Sequence, residues 1–429
     1  VSTANTLKRE VGLPGAVLIG LGSIIGTGVF VSLSIGAGLA GSYLLPALVI
    51  AGLLAAFNGL SSAQLAASFP VSGGTYEYGY RTLGPWSGFT AGWTFLCAKS
   101  ASCATAALGF AGYAMSAAGV SDPTAIKITA AASVLVMTFL VSHGLKRSNQ
   151  VNAVMVIFTV TALVLFGTTL LLQGTTTGTE GENAVSAAGF LETCALMFVA
   201  FTGYGRIATL GEEIRDPRRN IPRAVILTLA TALALYLFVA ATALHAVGAG
   251  GLTAAAGHAG AVLAGIARGA GVDWLFAVVI TASITAMLGV QLNLILGLSR
   301  VMLAMGRRND LPAGLSRLNN DQSPVTAIRA TGFVVLLMTL LLDFRASWSF
   351  SAFTVLLYYA VTNLAALRLR TDDRFIPKAI SAAGLVICTG LAVFVDLQAV
   401  GTGIAMLAAG AVIRIVCLRL QSEGKEPPA

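Results

Sequence analysis

The sequence predicts an all-helical integral membrane protein of about twelve transmembrane helices, and three observations carry that prediction. Charge is scarce: 10% of the 429 residues are Asp, Glu, Lys or Arg and 56% are hydrophobic, where a soluble protein carries roughly 25% charged residues. Uncharged stretches are long. No formal charge lies between Glu10 and Glu77, and similar stretches run from Ser148 to Thr179, Ala224 to Ala267 and Trp274 to Ser299. Each holds one or two helices of about 20 residues, the length that crosses a hydrocarbon core. The third observation is that basic residues fall on one side. With the N-terminus inside, Lys8, Arg9, Arg81, Lys146, Arg147, the Arg215–Arg223 cluster, Arg300–Arg329, Arg368–Lys378 and the tail are cytoplasmic, and only Lys127, Arg268 and Arg345 are outside. That is the positive-inside pattern. It predicts a multi-pass protein of the cell membrane with both termini cytoplasmic, and it makes the net charge of +8 a matter of orientation, with no nucleic-acid partner.

The spans follow in order. Leu13–Ala40 and Ser42–Ala67 divide the first uncharged stretch, and Trp86–Ala118 crosses with a single charge, Lys99. Thr124–Ser142 is followed by Ser148–Leu172, which fills the second uncharged stretch, and then by Ala187–Ile214. Pro222–Val247 and Asp273–Met305 occupy the third and fourth. Val325–Leu342, Ser347–Leu369, Ile376–Val395 and Leu397–Val416 complete the set, ahead of a short polar tail from Gln421. The first span suits a retained helix rather than a cleaved signal peptide.

Several functions are disfavoured. Cys97, Cys103, Cys194, Cys388 and Cys417 form no CxxC or metal spacing and fall in or at the end of apolar spans, where free Cys packs as a small hydrophobe. His143, His245 and His258 are scattered. With no metal spacing and no phosphate-binding loop, neither an enzyme, a metal, a cofactor nor ATP-driven transport is expected.

Two spans contain sequence that a lipid-facing helix would avoid. The first carries Gly20-Leu21-Gly22-Ser23-Ile24-Ile25-Gly26-Thr27-Gly28, and the sixth carries Phe201-Thr202-Gly203-Tyr204-Gly205. Glycine costs about 1 kcal/mol relative to Ala in a helix interior, so both sites favour unwinding; close helix packing through small residues is the alternative. The breaks lie five helices apart, which forces opposite orientation and predicts two inverted five-helix repeats with paired interrupted helices at the midplane. Unwound backbone exposes N–H groups that attract a carboxylate and C=O groups that attract an ammonium. An α-amino acid carries both on one carbon.

At these residues the sequence resembles a known family. Gly22-Ser23-Ile24-Ile25-Gly26-Thr27-Gly28-Val29-Phe30 is similar to the first-helix motif of the amino acid–polyamine–organocation permeases. The resemblance continues at Phe69-Pro70-Val71-Ser72-Gly73-Gly74-Thr75-Tyr76, at Phe201-Thr202-Gly203-Tyr204 with Glu212-Glu213, at Arg218-Arg219-Asn220-Ile221-Pro222, and at Ser299-Arg300 with Asn309-Asp310-Leu311-Pro312. It implies a LeuT-like fold: residues 1–172 as the first repeat, 173–370 as the second, 371–418 as two further helices and 419–429 as a cytoplasmic tail. It implies that Thr27 and the amides around Gly26 and Gly28 take the substrate α-carboxylate, and that the carbonyls of Ile24, Val199 and Thr202 take the α-ammonium. Phe201 would close over the substrate and Cys103 would face its side chain; simple packing is the alternative for both.

Departures from the family bear on coupling, by protons or by sodium. Thr159 stands about where proton-coupled relatives carry a Lys, and Gly205 where many carry an acid. Lys99 is then the leading titratable candidate; a charge snorkelling to the cytoplasm is the alternative. Arg206 either lines the cavity or points down the inner vestibule. Glu192 reads as an outer gating or solvated charge, and Gln291 and Asn293 as interhelical or substrate contacts. Glu212, Glu213 and Asp216 with the following arginines suggest an inner-gate ion network, and Ser72-Gly73-Gly74 a structural turn with positive φ. The expected activity is secondary transport of α-amino acids, neutral ones foremost, with exchange or facilitation without an ion, or amine transport, as alternatives.

Overall fold

The computed structural model describes residues 11–69, 73–144, 149–173, 185–209, 214–255, 261–319 and 323–423. Its elements are α1 (Leu13–Ile24), a π-type turn (Gly28–Ser32), α2 (Leu33–Ala40), α3 (Leu44–Ser68), α4 (Thr75–Thr82), α5 (Pro85–Ala117), α6 (Pro123–Ser142), α7 (Asn149–Gln173) and α8 (Ala187–Phe201). A 3₁₀ turn (Thr202–Tyr204) leads to α9 (Gly205–Thr209), α10 (Pro217–Ala255), α11 (Val262–Gly269) and α12 (Asp273–Arg307). The last helices are α13 (Val325–Leu341), α14 (Phe344–Leu367), α15 (Lys378–Ala392) and α16 (Leu397–Glu423). Among the described residues the only β feature is an isolated bridge between Val11 and Ile214.

Nine helical stretches of the described chain are long and apolar enough to cross a membrane. The longest, Leu13–Ser68, takes in α1 to α3, and α13 and α15 are shorter apolar helices. Starts are fixed by local chemistry. Asp122 accepts the Ala125 N–H at 2.9 Å, Ser186 the Gly189 N–H and Asp343 the Ala346 N–H, each satisfying an orphan donor of the first turn. Pro85 and Pro123 stand in first turns, where a missing N–H costs nothing. The sixth expected span, Ala187–Ile214, is interrupted where its glycines predict: α8 stops at Phe201 and α9 resumes at Gly205.

Burial sorts the helices. α5, α8, α14 and the α1–α3 stretch are covered on most faces. At the periphery α6, α7 and α16 leave Leu135, Phe139, Val154, Ile157, Val412 and Ile415 exposed. A soluble protein with this apolar surface would aggregate; against lipid it carries no penalty. Inner helices are joined by hydroxyl pairs, Ser102 with Ser351 at 2.8 Å and Thr105 with Ser347 at 3.0 Å across α5 and α14, and Ser61 with Ser381 at 2.8 Å across α3 and α15. Small hydroxyl residues allow close approach and satisfy each other where water is absent.

Candidate functional site at two broken helices

The last regular bond of α1 is from Ile25 N–H to the Leu21 carbonyl, 2.8 Å, after which Ile25 turns extended (φ −75°, ψ 107°). The ladder resumes with Val29 and Phe30, both donating to the Gly26 carbonyl at 3.2 Å. The amides of Gly26, Thr27 and Gly28 are left outside it. The second break follows α8, where Thr202 N–H turns back to the Val199 carbonyl. Glycine is required where the breaks touch: a Cβ on Gly203 would collide with the Ser23 carbonyl, and one on Gly28 would lie 2.6 Å from Ala200 Cβ. Both unwound segments predicted from the sequence are present, and they cross in contact.

They border a cavity of about 880 Å³. Ile24, Thr27, Gly28, Val199 and Thr202 line it, as does Lys99 from α5. Lys99 is buried, and its Nζ donates to Thr202 Oγ1 at 2.8 Å, which donates on to the Val199 carbonyl at 2.8 Å. Its amine therefore meets the second break and does not snorkel. Arg206, Arg300, Arg307 and Arg308 also line the cavity, and among the described residues Glu77 is its acid. The cavity thus reaches from the breaks to exposed arginines at the end of α12.

Other expected residues lie elsewhere. Gly26 is buried in the first break beside Val290, outside the cavity lining. Phe201 is fully buried, its ring 5.2 Å from that of Tyr236. Cys103 sits with Sγ 3.9 Å from the Gln291 carbonyl. The cavity face of α5 runs through Phe95, Lys99 and Ser102, and at 3.6 residues per turn Cys103 is turned roughly 80° away from its centre. Thr159 is buried with its hydroxyl bonded to the Met155 carbonyl of its own helix, 2.8 Å. Gln291 accepts from Ser133 across α12 and α6, an interhelical bond, while Asn293 lines the cavity. Glu192 lies 3.9 Å from Arg345.

Three aromatic residues at the site escaped the sequence reading. Tyr236 of α10 donates to the Ile24 carbonyl at 2.8 Å, with the Ala200 carbonyl at 3.3 Å, and so braces both breaks. Trp348 of α14 lines the cavity and donates to the Leu196 carbonyl at 3.1 Å. The Tyr359 hydroxyl is 3.5 Å from the Thr202 carbonyl. Their one signal was a Tyr or Trp in mid-span, since such residues need a partner for the O–H or N–H when buried.

At the arginine-bearing end, only part of the expected ion network falls on described residues. Glu212 and Glu213 lie outside the described residues, and Asp216 makes no ion pair with any described residue. Among the described residues a network joins α4, the end of α12 and α16. One Arg308 nitrogen bridges both Glu77 oxygens at 2.6 and 2.7 Å, and Arg81 is 3.6 Å from Glu77. Behind it Asp310 accepts from Tyr76 at 2.8 Å and from Tyr80, and pairs with Arg414 Nε at 3.1 Å, both charged side chains being almost fully buried. Arg414 also donates to the Pro85 carbonyl at 2.8 Å and lies 4.4 Å from the Trp86 ring. Burial and the Asp310 carboxylate raise the Tyr76 and Tyr80 phenols well above their usual range, so both stay neutral donors. Gly73 and Gly74 take φ 124° and 58° in the turn before α4, as the paired glycines predict.

Known proteins resemble the chain over nearly its whole length. The family model described as amino acid permease matches residues 15–417. An uncharacterized transporter of Mycobacterium tuberculosis is 40% identical over 412 residues, which cover 94% of this chain and 90% of that protein. The branched-chain amino acid permease BcaP of Bacillus subtilis is 28% identical over 412 residues (91% of this chain, 87% of BcaP). A chloroplastic cationic amino acid transporter of Arabidopsis thaliana is 26% identical over 387 residues (82% and 64%). The broken helices and the multiple apolar spans agree with these likenesses: the chain is an integral, multi-pass membrane protein and belongs to the amino acid permease family of the amino acid–polyamine–organocation superfamily.

Proposed function

We propose that the chain is a secondary transporter of α-amino acids, chiefly neutral ones, working by alternating access with substrate held between the two broken helices. The observation that carries this reading is the contact of the two breaks at the head of one cavity, with free amides on one and helix-end carbonyls on the other. The amides around Thr27 would take the α-carboxylate, and the Val199 and Thr202 carbonyls, with Ile24 already braced by Tyr236, the α-ammonium. Twelve spans follow if α1 with α2, and α8 with α9, each make one crossing. Two inverted repeats then precede α15 and α16, and the arginine-bearing end faces the cytoplasm of the cell with both termini. Likeness to BcaP supports apolar side chains.

A second reading within transport is exchange or facilitation without an ion. It is favoured by Thr159, whose hydroxyl turns back on its own helix, and by the Lys99 amine resting on a hydroxyl, not a carboxylate. Amine transport is disfavoured by the basic cavity lining. Uptake of radiolabelled leucine, valine and alanine into proteoliposomes, with and without proton and sodium gradients, tests these readings. Leucine methyl ester and isoamylamine should compete at least about tenfold more weakly than leucine, because each lacks one of the two charges the breaks would read. Equal competition by the amine would reject the α-amino acid reading.

A further inference from the structure

The carbonyl end of α8 is where a helix dipole and unpaired C=O groups attract a cation, and a cation already stands there. Lys99 reaches from α5 to Thr202 Oγ1, 2.8 Å away, and that hydroxyl is itself bonded to the Val199 carbonyl. Among the described residues no carboxylate pairs with the Lys99 amine. Its position is thus set by the α8 terminus and by the cavity it lines together with Val199 and Thr202. Resting on the proposed function above, in which a substrate ammonium seeks the Val199 and Thr202 carbonyls, two cations compete for one helix end.

We propose that Lys99 is a tethered stand-in for the substrate ammonium: it fills the amine subsite in the empty carrier and is displaced when an amino acid binds. Displacement has room, because the cavity that Lys99 lines extends to the exposed arginines of α12, and a four-carbon stem can swing along it. The consequence is mechanical. When the cavity closes around substrate, the substrate ammonium satisfies the carbonyl end of α8. When it closes empty, the Thr202 hydroxyl oxygen and the negative end of the α8 dipole would lose water with no cation against them, which is costly. Lys99 supplies the missing donor and lets the empty carrier close and return. The side chain therefore weakens substrate binding while permitting net flux, which an obligatory exchanger lacks. This role needs no proton to leave the amine.

Lys99→Met, which keeps the stem and removes the charge, separates the two effects. Proteoliposomes are loaded with radiolabelled leucine, and efflux is followed into buffer containing leucine (exchange) or none (net flux). In Lys99→Met the exchange KM should fall about tenfold, since the subsite no longer has a resident competitor, while net flux falls at least tenfold relative to exchange. Propylammonium outside the vesicles should restore net flux in the variant, by filling the vacated subsite, and leave the unmodified protein unchanged. Lys99→Gln, also uncharged and more polar, repeats the measurement should the Met variant fail to elute as a folded species in detergent. An unchanged KM together with an unchanged ratio of net flux to exchange in either folded variant overturns the proposal, as does loss of exchange and net flux in equal measure. Absence of leucine, valine or alanine exchange by the unmodified protein would instead remove the transport reading beneath it.

Discussion

Tyr236 does more at the site than any residue singled out from the sequence, and it does so with one hydroxyl. Its bond to the Ile24 carbonyl, with the Ala200 carbonyl close by, ties the two interrupted helices where neither has a ladder of its own. Tyr236→Phe would keep the ring contact with Phe201 and lose only that brace. The unfolding free energy in detergent should drop by about 1 kcal/mol, visible as a lower melting temperature, and leucine binding should survive because Ile24 keeps its carbonyl. An unchanged melting curve would mean the breaks hold each other without the tyrosine. The residues that were legible, Thr27, Gly28, Gly203 and Thr202, have a conformational signature in the letters themselves. A tyrosine in an apolar helix has none until the neighbouring helix shows which carbonyl it can reach. Cys103 and Phe201 illustrate the same limit. Each lies within a turn of a cavity residue, yet the exact rotation of its helix turns it into packing.

Among the elements, the long apolar spans were legible to within a few residues, because a run of uncharged sequence has only one use at that length. The short ones were not. α4 carries Glu77 and Arg81 and has no membrane signature, yet it caps the cavity and receives both Arg308 and, through Tyr80, the Asp310–Arg414 pair. Arg414 is four residues from the end of an apolar run, and as sequence it reads as one more basic residue at a span end. Burial of both partners changes its meaning, since a buried pair tolerates the loss of both charges better than the loss of one. Asp310→Asn and Arg414→Met should each lower stability by about 3–5 kcal/mol, and the double variant should recover most of that. Thermal unfolding of the four proteins measures it; simple addition of the two losses would show that the charges do not depend on each other.

For the whole molecule, the uneven charge of the cavity should govern what enters. Among the described residues Lys99, Arg206, Arg300, Arg307 and Arg308 line it, with Glu77 as the one carboxylate. A like charge at roughly 10 Å in a medium of effective dielectric about 20 costs about 1.7 kcal/mol, so lysine and arginine should compete for leucine uptake more than about tenfold less well than valine. Equal inhibition by arginine would show that the pairing of Glu77 and Arg308 opens in the working cycle and that the lining does not act as a barrier. The tie between Asp310 and Arg414 also has a consequence in time. A ribosome reaches Arg414 about a hundred residues after it has made Asp310, a delay of roughly 5–20 s at 5–20 residues per second. Until then the Asp310 carboxylate has the tyrosines of α4 but lacks the arginine that neutralises it. The last helix is therefore a closing signal for the nascent chain: a protein stopped after Asp396 should be cut by trypsin at Arg81 much faster than one carrying α16, and equal resistance would show that α4 is seated before synthesis ends.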